Sequence, residues 1–254
     1  MKYIFLLVLI MAVACQKQAI QTEITKQNSP KIINTTENIP QIASVKQQDS
    51  IQNQPQIEEF EPENFADKLK IGKRKLNRVE ISTYRKDEKL FVKTKFYAKS
   101  KSQWILKNEV DIEKFGELPI DTEIKDFNGD GFKDINFVSG IAARGANEIR
   151  DLFIYDSRKD ELIHIKNSGD YPNLGYNPLL KCLDALIFTG STTTVFLKLK
   201  GDKLVEFASV NDSGTERTIN VIDSNGKEKL FRREKRKDDG FDRYINFNPI
   251  QKYR

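Results

Sequence analysis

The sequence predicts an all-β protein built from antiparallel hairpins, on three observations. β-branched and aromatic residues recur in short runs, mostly of 5 to 9 residues, bounded by turn signals. Gly201-Asp202, Asn225-Gly226 and Asp239-Gly240 are dipeptides that favour tight hairpin loops. Nowhere do apolar residues follow a helical i, i+3, i+4, i+7 spacing for a dozen positions, which argues against alternating βαβ architecture. Successive hairpins of this kind suit a propeller-like meander or, as the alternative, a β-sandwich.

The runs begin near Phe60, where aromatic and β-branched residues become frequent. PENFADKLK (62–70) is the one stretch that suits a short helix. RVEISTY (78–84) alternates, placing Val79 and Ile81 on one face of a strand. KLFVKTKFY (89–97) follows across the turn-like RKDE, and QWILKNEV (103–110), TEIKDF (122–127) and DINFVSG (134–140) come next. RDLFIYD (150–156), ELIHIK (161–166), LDALIF (183–188) and TTVFLKLKG (193–201) continue the pattern. KLVEFASV (203–210), ERTINVID (216–223), KEKLFRRE (228–235) and RYINF (243–247) close it.

The N-terminus predicts a compartment. Lys2 precedes an unbroken apolar run from Tyr3 to Ala14, too short to span a bilayer comfortably and of signal-peptide length. Its end, Ala12-Val13-Ala14-Cys15, resembles a bacterial lipobox. That resemblance implies a lipoprotein signal peptide over 1–14, with lipid on Cys15 anchoring the chain to a membrane. Residues 15–57 read as a tether: rich in Gln, Asn, Thr, Ser and Lys, with scattered isoleucines that form no continuous face. A flexible chain of about 40 residues has a root-mean-square reach of roughly 35 Å. The β domain is then 58–254. Gln16 and Lys17 are not the aspartate that retains lipoproteins at the inner membrane of enteric-type bacteria, which points to the outer membrane, facing the periplasm. With Cys15 lipidated, Cys182 has no intramolecular partner and reads as a small buried hydrophobe.

DFNGDGFKD (126–134) carries the chemistry. Ca²⁺ takes six to eight hard oxygens, and this spacing offers the side chains of Asp126, Asn128 and Asp130, the carbonyl of Phe132, and Asp134 directly or through water. Gly131 permits the positive-φ turn around the ion. Three carboxylates on one dication leave the site near −1. The loop is not a complete EF-hand, because Phe137 stands at the twelfth position and the flanks read as strands. Glu123, Asp121 or Asp151 could complete the shell. A solvated acidic hairpin turn explains the same composition without an ion.

The loop resembles the strand-flanked calcium loops of FG-GAP and integrin-like repeats. With ARGANEIRDLFIYDSRKDELIHI and YPNLGYNPLLKCLDALIFTGSTTTVFLKLKGDKLVEF after it, the stretch 119–210 resembles bacterial envelope lipoproteins that act as immunity proteins for type IV secretion effectors. Those are similar in fold to periplasmic inhibitors of invertebrate-type lysozyme. The resemblance implies a binding protein, not an enzyme, whose partner is a lysozyme-like peptidoglycan hydrolase entered by a Ser-Gly-x-Tyr loop. Ser168 to Tyr171 (SGDY) matches that motif literally; Thr189-Gly190-Ser191-Thr192 lies nearer the expected place between two strands but lacks its serine and tyrosine. The other reading is a structural or adhesive envelope lipoprotein that binds glycan or another surface protein.

No catalytic set stands out. His164 is the single histidine, and no Gly-rich phosphate loop or C-x-x-C occurs. The net charge is +5, yet outside the cytoplasm no nucleic-acid partner is expected. FRREKRKDDGFDRY (231–244), the strongest charge run, reads as a solvated edge hairpin or as a surface for an anionic partner.

Overall fold

The computed structural model of the chain describes residues 60–236 and 240–253. The expected signal peptide, Cys15 and the tether lie outside the described residues. Gln56–Arg254 forms one compact unit.

Within each sheet the strands pair in chain order, so the sheets are antiparallel meanders. The first contains β1 (Asn64–Asp67), β2 (Asn77–Lys86), β3 (Lys89–Ser100) and β4 (Gln103–Lys114). The second contains β5 (Thr122–Lys125), β6 (Asp134–Ala142), β7 (Asn147–Asp156) and β8 (Glu161–His164). The third runs from β9 (Gly175–Asn177) through β10 (Cys182–Phe188), β11 (Thr192–Lys200), β12 (Lys203–Ser213) and β13 (Glu216–Ile222) to β14 (Glu228–Lys235). A hairpin of β15 (Tyr244–Phe247) and β16 (Ile250–Lys252) completes the fold.

Burial explains why some strands alternate in sequence and others do not. β2 buries Asn77, Val79, Ile81 and Thr83 on one face, because the first sheet has a core on one side only. β7 instead carries the continuous run Leu152-Phe153-Ile154-Tyr155, all buried. Phe153 and Tyr155 join Val79, Ile81 and Phe96 in one core, while Leu152 and Ile154 join Leu183, Val195 and Leu197 in another. The second sheet is thus covered on both faces, and every position of β7 in this run must be apolar. A third core, around Phe196, Val210 and Ile219, is closed by Tyr244, Phe247 and Ile250 of the final hairpin. The layers form a series of stacked sheets, with no closed barrel or propeller among the described residues; the sandwich alternative describes the packing.

Two buried carboxylates pin the last hairpin. Asp184 accepts hydrogen bonds from Asn177 Nδ2 (2.8 Å), Arg243 Nε (2.8 Å) and Tyr253 Oη (2.5 Å). Asp212 accepts from Arg217 Nε (2.7 Å) and Tyr244 Oη (2.6 Å). Burial, followed by these carboxylates, raises the pKa of both phenols, which keeps them protonated donors.

One expected element is different. The short helix over 62–70 is instead the strand β1, paired with β2 and ended by Asp67, whose Oδ1 accepts from the amides of Leu69, Lys70 and Ile71. Phe65 packs against the first core, and pairing with the edge of β2 satisfies backbone groups that a single helical turn would leave open. No helix among the described residues is long and apolar enough to cross a membrane.

Candidate metal centre

The acidic loop is a hairpin connection between β5 and β6, closed by the Lys125–Asp134 pair, as its strand-like flanks predict. Its two arms are fixed on opposite faces of the second sheet. Phe127 is fully buried in the core shared with the third sheet. Phe132 packs against the core shared with the first sheet, edge-on to Tyr155 at 5.5 Å. Gly131 has φ +91°, the positive-φ turn its position requires. Gly129 also has positive φ, and a Cβ there would lie 2.9 Å from Tyr176 Cζ and closer still to its hydroxyl.

The side chains of the loop turn inward. Asp126 accepts from the amides of Gly129 (2.6 Å), Asp130 (3.2 Å) and Gly131 (2.9 Å). Asn128 Oδ1 accepts from the Asp130 amide, and its Nδ2 donates to Asp130 Oδ2 at 2.9 Å. Asp130 Oδ1 accepts from the Phe132 amide. A carboxylate has about four lone-pair positions, so Asp130 keeps roughly half of its capacity and Asp126 about a quarter. Neither carboxylate forms an ion pair among the described residues, in a chain with 42 lysines and arginines.

Asp134 occupies another place than that of an open ligand. It is fully buried, and its two oxygens accept from the amides of Phe127 (2.7 Å) and Tyr155 (2.9 Å). Burial pushes its pKa up to about 7; the two amides oppose that shift, and the charges of Asp130 and Asp126 reinforce it. Among the described residues, no group of three His, Cys, Asp or Glu side chains forms a ready metal cluster. The side chains left at the loop itself are Asp126, Asn128 and Asp130, each bonded to the loop's own donors, with Asp134 supporting the loop from behind.

The more distant acids have other partners. Asp121 pairs with Arg150 (2.6 Å), Asp151 bonds His164 Nε2 (2.9 Å), and Glu123 lies 3.9 Å from Lys125. Asp156, which accepts from the Arg158 and Lys159 amides, and Asp202, which pairs with Lys166 (2.6 Å), share with Asn128 and Asp130 a groove of about 680 Å³. Ile154, Tyr155, Ile163 and Leu199 also line it, with Arg158 and Lys159. No local motif announces this groove, because it joins turns of two different sheets.

The two loops matched to the inhibitor motif part company. Ser168 is buried in a short 3-10 turn, where its Oγ accepts from the Leu152 amide at 3.0 Å, and Tyr171 packs against the second core. SGDY is therefore held against the second sheet and does not protrude. Thr189 and Gly190 are exposed at the tip between β10 and β11, Gly190 with φ +80°. Behind them Ser191 accepts from Asn211 Nδ2, and Thr192 is buried. His164 stacks on Phe153 at 4.8 Å. Cys182 is buried as its neighbours predict, and burial pushes its thiol up to about 12.

Compared with family models and with curated proteins, the chain matches none. Among solved structures it is similar to a Xanthomonas protein described as related to a type IV secretion system. The TM-score is 0.40 and the identity 11 %, over 66 % of this chain and 93 % of that one. No function follows from so distant a likeness.

Proposed function

We propose that this chain is a non-catalytic binding protein of the bacterial envelope, lipid-anchored through Cys15, whose 126–134 loop takes one Ca²⁺. Asp126, Asn128, Asp130 and the Phe132 carbonyl hold the ion, and water fills the remaining positions. The observation that supports this reading is the pair Asp126 and Asp130: two carboxylates close enough to raise the pKa of Asp134, with no basic side chain paired to them among the described residues. Without a cation their mutual repulsion opposes the turn; with one, it is reversed. The ion would supply charge neutralisation and a rigid link between the arms at Phe127 and Phe132, which fixes β5 on β6.

The partner in this reading is a lysozyme-like peptidoglycan hydrolase, met by the exposed Thr189–Gly190 tip. Thermal melts of residues 56–254 in calcium and in chelator test the scaffold. A rise in Tm with calcium that is lost in Asp126→Ala/Asp130→Ala is expected. A lysis assay with lysozyme-type muramidases tests the partner: inhibition by wild type, weakened by Thr189→Asp/Gly190→Asp, is expected. No inhibition of any muramidase, with intact calcium stabilisation, would reject the partner and leave the scaffold.

A further inference from the structure

The first sheet carries a surface that the reading above does not use. β1 ends, β2 begins, β3 ends and β4 begins at one end of this sheet, where Asp67 pairs with Val79 and Asn77 with Ala98. The loops 68–76 and 99–103 therefore lie side by side, and the Lys99 amide donates to the Leu76 carbonyl at 2.8 Å. Six exposed basic side chains project from them: Lys68, Lys70, Arg74, Lys75, Lys99 and Lys101. None forms an ion pair among the described residues, although Lys73 and Arg78 beside them are paired with Asp160 and Glu80. Among the charges of the first loop are the exposed Leu69 (53 %) and Leu76 (50 %); at the start of β4, Ile105 (46 %) and Leu106 (48 %) are exposed one on each face of the strand. Trp104 stands next to them, with Lys99 Nζ 5.8 Å and the Arg78 guanidinium 5.4 Å from its ring.

We infer that this end of the first sheet docks on an anionic phospholipid surface. Unpaired lysines alone would suit any polyanion. Exposed leucines among them, with an isoleucine and a tryptophan nearby, suit a partner that offers negative headgroups and an apolar layer within a few ångströms of each other, which a bilayer does. Each Lys or Arg near such a surface contributes about a fivefold gain in affinity. Where the chain enters also permits this contact. Phe60 lies beside Arg85, at the opposite end of the sheet. The roughly 40 residues between Cys15 and Phe60 can span, at about 3.3–3.6 Å each, far more than the length of one strand. A lipid on Cys15 would keep the bilayer at high effective concentration.

Cosedimentation of residues 56–254 with vesicles tests the inference; this fragment contains every residue of the three cores. Vesicles of phosphatidylcholine alone are compared with vesicles containing phosphatidylglycerol, at low and high salt. Wild type is expected to sediment with the anionic vesicles only, and less in high salt. Lys70→Gln/Lys75→Gln/Lys101→Gln should weaken binding about a hundredfold, and Leu69→Asn/Leu76→Asn at least tenfold. Both variants change exposed side chains and should melt like wild type. Chelator should leave the binding unchanged, which separates it from the acidic loop. Wild type that stays in the supernatant at low salt would overturn the inference. So would full binding by the leucine variant, which would mark a surface for an acidic macromolecule instead.

Discussion

Replacing Asp134 by asparagine should reverse the sign of its own effect with pH. The carboxylate holds the amides of Phe127 and Tyr155 in a fully buried position. In Asp134→Asn the side-chain amide would keep one acceptor oxygen and leave one of these backbone amides unpaired, at a cost of about 1–3 kcal/mol. Against this stands the charge. The folded pKa is raised to about 7 from an ordinary 3.8. A raised carboxylate favours the fold while protonated, so its contribution is complete below pH ~4 and is lost as pH rises through ~7. At ~1.4 kcal/mol per pKa unit, the loss approaches about 4 kcal/mol at pH 8. Urea denaturation in chelator should therefore find Asp134→Asn less stable than wild type at pH 4, where little of that contribution is lost, and equal or more stable at pH 8. Calcium should flatten the wild-type profile, because a cation near Asp126 and Asp130 removes part of what raises the Asp134 pKa. Parallel stability profiles of the two proteins from pH 4 to 8 would refute the reasoning.

The other predictions concern the acidic loop and β10 of the third sheet. Gly129→Ala should cost about 1–3 kcal/mol, combining positive φ with the clash against Tyr176, whereas Gly131→Ala, with open space around it, should cost only about 1 kcal/mol; urea denaturation compares them. Asp184→Ala leaves the Arg243 guanidinium, Tyr253 and Asn177 without their shared acceptor, and should cost about 3–5 kcal/mol and speed proteolysis around 240–253. Cys182 should resist iodoacetamide at pH 8 in the native protein and react fully once unfolded, since burial pushes its thiol up to about 12.

Much of the fold was legible because most strands are long enough to show a period. β2 repeats Val79 and Ile81 on its inner face, and the turn at Asn225-Gly226 marks where β13 reverses into β14. β1, β9 and β16 were hidden: each has only three or four residues, and β9 is no more than Gly-Tyr-Asn, so neither alternation nor composition sets it apart. The stacking of sheets was hidden as well, since Phe153 and Leu152 are adjacent in sequence yet belong to different cores. At the loop, Asp126, Asn128 and Asp130 bond to one another's side chains and amides within a single turn. Spacing alone did not reveal that Asp134 is the first residue of β6, where the strand buries it beneath the Phe127 and Tyr155 amides. SGDY is similar: a literal motif says nothing of Ser168 Oγ accepting from the Leu152 amide.

Calorimetric titration of calcium into residues 56–254, wild type and Asp126→Ala/Asp130→Ala, decides whether the loop is a cation site. Wild type should release or absorb heat with one site per chain and gain stability as RT ln(1 + [L]/Kd), about 2.7 kcal/mol at a hundredfold excess over Kd. The double variant should do neither. If wild type shows no heat and no gain in stability at millimolar calcium, DFNGDGFKD is only an acidic turn held by its own amides, and the calcium scaffold is wrong.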